Sequence, residues 1–140
     1  MSPAIEALAR HVVTLPGWRW LPGMLAHHLN WRGVRISHVE GPSIRGTSRY
    51  ALPTGGVDWA VSRLPHAVLH PDLTDPATLG CLLALVREAW GCPHLSVVGG
   101  SDGWRIDAEG LGGVRDLHSF PSEAHALVAA LEAAPRRGDS

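Results

Sequence analysis

With 140 residues, 45% of them hydrophobic and 18% charged, the chain has the size and apolar content of one globular domain that folds without a disulfide framework or structural metal. All 12 basic residues are arginine, which excludes Schiff-base, P-loop-lysine and Ser-Lys chemistry, because each needs a lysine amine. The net charge of −1 hides an imbalance: residues 1–49 carry six arginines against two acids, and the remainder carries six against eleven.

Ser2-Pro3 reads as a cap and first-turn pair, and Ile5, Leu8, Ala9 and Val12 share one helical face until Pro16-Gly17 stops it. Leu15-Pro-Gly-Trp18 and its echo Leu21-Pro-Gly-Met24 read as two tight turns that hold Trp18 and Trp20, followed by a short helix over Met24–Leu29. From Trp31 to Leu52 the β-branched pattern predicts an antiparallel hairpin turning at Gly41-Pro42-Ser43. Val57–Leu69 supplies a further strand around Trp59, interrupted by Pro65.

Asp75 caps the central helix, Pro76 opens it, and Leu79, Leu82, Leu83, Val86 and Trp90 form its apolar stripe up to Gly91. This helix is expected to be the buried spine. Leu95–Val98 and Trp104–Glu109 flank Gly99–Gly103 as a second hairpin, and Ser119–Ala134 is the last helix. The order lacks regular βαβ alternation, so the expected class is α+β, with three helices packed on a mainly antiparallel sheet of two hairpins. A single domain is expected over 1–134, with 135–140 as a flexible tail.

No apolar run approaches the ~20 residues a bilayer needs. Glu6, Arg10 and His11 interrupt what would be the apolar part of a signal peptide. Two cysteines, Cys81 and Cys92, are too few for a disulfide framework or a cysteine-rich zinc site. A cytoplasmic setting is the expectation.

Trp18-Arg-Trp-Leu-Pro-Gly-Met24, Asp72-Leu-Thr-Asp-Pro-Ala-Thr-Leu-Gly-Cys-Leu-Leu-Ala-Leu-Val-Arg-Glu-Ala-Trp-Gly91 and Ala126-Leu-Val-Ala-Ala-Leu-Glu-Ala-Ala134 together resemble a group of small proteins of tailed phages and prophages with no established activity. That resemblance carries over no catalytic residue. It implies a setting in which small proteins act by binding host machinery, defence systems included, which is association rather than mechanism.

Gly99-Gly-Ser-Asp-Gly103 matches the G-x-S-x-G pattern of hydrolases, with Asp107 or Asp116 and His118 or His125 following in the right order. An elbow needs a helix after the serine, whereas Trp104-Arg-Ile-Asp107 alternates like a strand, so the plain turn is preferred over catalysis by Ser101. His27-His28, and His66 and His70 followed by Asp72, invite a metal reading. Pro65 and Pro71 discourage the helix that would align the second pair, so satisfied or surface histidines are preferred, with no metal and no cofactor. Cys81 and Cys92 read as inert thiols.

Trp18, Arg19, Trp20, Trp31 and Arg32 would suit base stacking, but with six Trp beside one Phe and one Tyr, core packing is preferred for Trp18 and Trp20. The expected function is non-enzymatic binding to a host protein or ribonucleoprotein, an inhibitor of a host defence complex being its sharpest form. The candidate contact residues are Arg32, Arg35, Arg45 and Arg49 in the basic half and Asp102, Asp107 and Glu109 in the acidic half. The alternatives are a nucleic-acid-binding module built on the basic hairpin and a virion or assembly accessory protein.

Overall fold

The Ser2-Pro3 signal starts the first helix where the sequence puts it. In the computed structural model α1 spans Pro3–Val12, with the Ser2 hydroxyl accepting from the Ile5 amide at 3.3 Å. The structure describes residues 2–28, 31–36, 38–44, 47–51, 53–54, 57–58, 62–65, 69–108 and 117–135, with side chains over 2–27, 35–36, 70–108 and 117–135. The class is α+β, with three helices and antiparallel strands among the described residues. The chain divides into two compact units, one of Met1–Thr14 with Arg19–Cys81 and one of Leu15–Trp18 with Leu82–Ser140.

In the first unit, β1 (Leu25–His28) lies between β2 (Trp31–Arg35) and β8 (Leu69–Pro71). This corrects the short helix expected over Met24–Leu29. Strand neighbours on both sides satisfy the β1 backbone and override the helix propensity of Met-Leu-Ala. Just before β1, Leu21-Pro22-Gly23-Met24 is the expected tight turn, with the Met24 amide donating to Leu21 O at 3.2 Å and Gly23 at φ +99, as a Pro-Gly turn of this kind requires. Reciprocal bonds at 2.8 Å from Gly23 to Ile36 and from Ile36 to Met24 then fix the turn against the chain leaving β2.

β3 (His38–Ile44) pairs with β4 (Thr47–Ala51), which pairs with β7 (Ser62–Pro65); β5 (Pro53–Thr54) and β6 (Val57–Asp58) form a two-strand ladder. The expected turn at Gly41-Pro42-Ser43 is therefore inside β3, where the register shifts between Glu40 and Ile44, and the pairing closes at Ile44 opposite Thr47. A proline cannot donate to the ladder, and an irregularity in the register is where a strand tolerates one. β2 joins β1 rather than the Ile44–Leu52 segment, so the expected first hairpin is shared between two sheets. The strand expected over Val57–Leu69 is likewise divided among β6, β7 and β8; Trp59 lies outside the described residues. The buried side chains of this unit include Ala9, Val12, Trp20, Met24, Ile36 and Leu73, so Trp20 is core.

α2 (Pro76–Trp90) begins in the first unit and continues in the second. Asp75 caps it as expected, its Oδ2 accepting from the Thr78 amide at 2.9 Å. Of the predicted apolar stripe Leu82 and Val86 are fully buried, with Leu85 buried beside them, while Leu79, Leu83 and Trp90 are half-buried.

In the second unit β9 (Ser96–Gly100) and β10 (Gly103–Asp107) form the expected hairpin, and α3 (Glu123–Ala133) packs on both strands. The α3 face of Ala124, Leu127, Val128 and Leu131 is buried as its spacing predicts. The helix starts at Ser122, its cap, rather than at Ser119. Ser119 adopts φ 65, and Phe120 is drawn into a two-way backbone pairing with Trp104 at 2.9 Å, which holds the chain extended before the helix. Leu15-Pro16-Gly17-Trp18 forms the other tight turn, Trp18 amide to Leu15 O at 3.0 Å, and Trp18 is 8% exposed. Trp90 Nε1 donates to Ala130 O at 2.8 Å and ties α2 to α3. Among the described residues no helix is long and apolar enough to cross a membrane.

Candidate functional site

Alternation along β10 sorts its side chains into two faces. Ile106 is buried, and its amide donates to Leu117 O at 2.9 Å; Arg105 and Asp107 are exposed. Across the ladder Arg105 stands opposite Val98 and Asp107 opposite Ser96. Trp104 lies opposite Gly99, and a Cβ on that glycine would sit 3.2 Å from the indole, so the ring covers the glycine.

The hairpin closes on Ser101-Asp102, both exposed, and Gly103 takes the left-handed conformation at φ +98. A Cβ at Gly103 would also meet Phe120 O at 2.7 Å. Ser101 is thus on a strand-turn-strand, with no helix N-terminus behind it to form an elbow. Of the histidines considered with it, His118 Nδ1 bonds Ser119 Oγ at 3.1 Å and His125 Nδ1 bonds the capping Ser122 Oγ at 2.6 Å. Asp116 lies outside the described residues.

The structure therefore brings Asp102, Arg105 and Asp107 together on one exposed hairpin. Among the described residues neither carboxylate has an ion-pair partner, and no strand other than β10 pairs with β9. Glu109, the third predicted acid, lies outside the described residues, as does Arg45, and the side chains of Arg32 and Arg49 are likewise outside them.

Arg35, the fourth predicted arginine, is bound within its own unit. Its Nη1 donates to Asp75 Oδ2 at 2.6 Å and to Gly23 O at 2.8 Å, and its Nη2 donates to Asp75 Oδ1 at 3.1 Å. The guanidinium, working against some burial and helped by the Thr78 amide and hydroxyl, holds the Asp75 carboxyl down at about 2. Thr78, fully buried, passes the network on by accepting from the Leu25 amide at 2.9 Å.

The structure also gathers a constellation that sequence spacing missed. His27 on β1 stands directly opposite His70 on β8, with ring centroids 5.8 Å apart, and His27 Nε2 contacts Asp72 Oδ2 at 2.9 Å. The sequence pairs His70 with His66, four residues away, whereas the strand register pairs it with His27. No three His, Cys, Asp or Glu among the described residues are placed to hold a metal ion. Burial, reinforced by the Asp75 charge, pushes the Cys81 thiol up, away from thiolate chemistry. No protein-family model, curated protein or solved structure matches this chain.

Proposed function

We propose that the chain is a non-enzymatic binding protein of phage or prophage type that occupies a basic surface of a host protein or ribonucleoprotein in the host cytoplasm. Inhibition of a host defence complex is the sharpest form of this reading. The observation that carries it is the pair of exposed carboxylates on the β9–β10 hairpin, Asp102 at its turn and Asp107 at the end of β10, on a support whose Ile106 side is packed and bonded. Bonding of β10 to Leu117 and Phe120 limits the ordering cost that a free loop would pay on binding. Exposed carboxylates on such a support present negative charge to arginine and lysine much as a phosphate backbone does, and they steer association.

Asp102→Arg with Asp107→Arg tests the assignment. Tagged native and doubly reversed proteins are used in parallel to capture partners from nuclease-treated bacterial lysate. A stoichiometric host protein retained by the native chain and lost with the reversed hairpin is the expected result. Equal retention by both, or recovery only of nucleic acid that salt releases, overturns it, the latter in favour of the arginine-based nucleic-acid reading.

A further inference from the structure

The His27–His70 pair has no part in the proposed binding surface, and its surroundings are unusual for two histidines. β1 and β8 place the rings as direct cross-strand neighbours, 27° from parallel. Asp72 is ionised: burial works to raise its carboxyl, but hydrogen bonds from His27 and from the Thr74 hydroxyl and amide outweigh it and hold it low. An ionised carboxylate only accepts, so His27 Nε2 carries the hydrogen in that contact. α1 packs on β8 and brings Glu6 and Arg10, which pair with each other at 2.9 Å. His70, half-buried, therefore faces His27 from β1, Glu6 and Arg10 from α1, and Asp72 from the turn after its own strand.

We propose that the His27–His70 pair is a pH-sensitive latch on the β1–β8 seam. With His70 neutral the rings stack and the seam is closed; a proton on His70, placed beside His27 and Arg10, loosens β8 from β1 and from α1. The consequence runs along the chain, because β8 leads through Asp72, whose amide donates to Leu25 O at 2.8 Å, to the Asp75 cap of α2.

Burial first, then the charges of His27 and Arg10, hold His70 below the ordinary imidazole value of 6.5, with Glu6 and Asp72 opposing. Well above pH 6.5 the imidazole is neutral in both closed and opened chains, and the latch contributes in full. As the pH falls, the opened strand takes the proton first, so opening becomes easier until the closed form also titrates. Each pH unit between the two titrations raises the opened population about tenfold.

The test follows the imidazole resonances and amide hydrogen exchange by NMR from pH 8 to 5 on the intact chain. His70 is expected to titrate below a histidine peptide, and the Asp72 amide to lose protection over the same range beyond the intrinsic pH dependence of exchange. His70→Gln should keep the protection and remove its pH dependence. Arg10→Gln should move the His70 midpoint up and Glu6→Gln should move it down; both sites lie on an exposed helix face, at 60% and 42% side-chain exposure, so these variants carry the test if His70→Gln does not fold. A His70 midpoint at or above that of the peptide, unchanged protection at Asp72, or midpoints indifferent to both α1 variants would each overturn the latch.

Discussion

Asp75→Asn removes one charge and one of the two acceptor oxygens that Arg35 grips. Asparagine caps a helix about as well as aspartate, so its oxygen keeps the bond from the Thr78 amide, while its NH2 stands where Oδ1 accepted from Arg35 Nη2, and the contact with Arg35 loses both its ionic part and that bond. A carboxyl held at about 2 instead of 3.8 corresponds to about 2.5 kcal/mol at pH 7. Arg35 is 44% exposed, so solvent screens part of this, and the expected loss is about 1–2 kcal/mol. Because the folded value is depressed, the contribution is complete well above pH 3.8 and disappears as the pH falls through about 2. Urea titrations of native and Asp75→Asn protein at pH 7, 4 and 2.5 should therefore converge towards acid. Asp75→Ala, which also removes the cap and the acceptor of the buried Thr78 hydroxyl, should cost about 1–2 kcal/mol more at pH 7. Equal stability of native and Asp75→Asn at pH 7, or a gap at pH 2.5 as large as that at pH 7, would refute this account of the Arg35–Asp75 contact.

Gly103→Ala places a methyl group at φ +98 and 2.7 Å from Phe120 O, and should cost about 2–3 kcal/mol by denaturant titration, while Gly100→Ala, with nothing within 4 Å, should stay within about 0.5 kcal/mol. Thr78→Val keeps the shape but leaves the Leu25 amide without its acceptor, for an expected loss of about 1–3 kcal/mol and faster exchange at that amide. Trp90→Phe removes the bond to Ala130 O and should lower stability by about 1 kcal/mol, read from the shift in thermal midpoint.

Elements whose signals are local were legible in the sequence. Asp75-Pro76 and Gly91 bracket α2, Leu82 and Val86 of its apolar stripe are buried, and the alternation of Trp104-Arg-Ile-Asp107 separates buried from exposed residues on β10. What failed was decided by partners far along the chain. Leu25–His28 is a strand because Trp31–Arg35 and Leu69–Pro71 flank it, and α3 starts late because Phe120 pairs with Trp104. The histidine pair needs the register of β1 on β8, across 43 positions, and no spacing rule points from His27 to His70. Arg35 and Asp75 are 40 residues apart, and the sequence presents them separately, one as a contact residue and the other as a cap.

That last pair changes how the charge imbalance bears on function. A positive excess in residues 1–49 suggests a basic face only if its arginines are free to meet a partner, yet Arg35 is engaged with Asp75 and Arg10 with Glu6. Reversing Arg35 would therefore weaken the cap of α2 as well as any nucleic-acid contact, and a loss of binding would not say which had happened. A clean comparison reverses Arg32, Arg45 and Arg49 without Arg35, and sets the result against the Asp102 and Asp107 reversals. Those two acids stand on the outward side of a hairpin whose packing depends on Ile106, Leu117 and Phe120, so reversing them should change stability by no more than about 0.5 kcal/mol. A binding loss there, with the unfolding midpoint unchanged, belongs to the surface rather than to the fold.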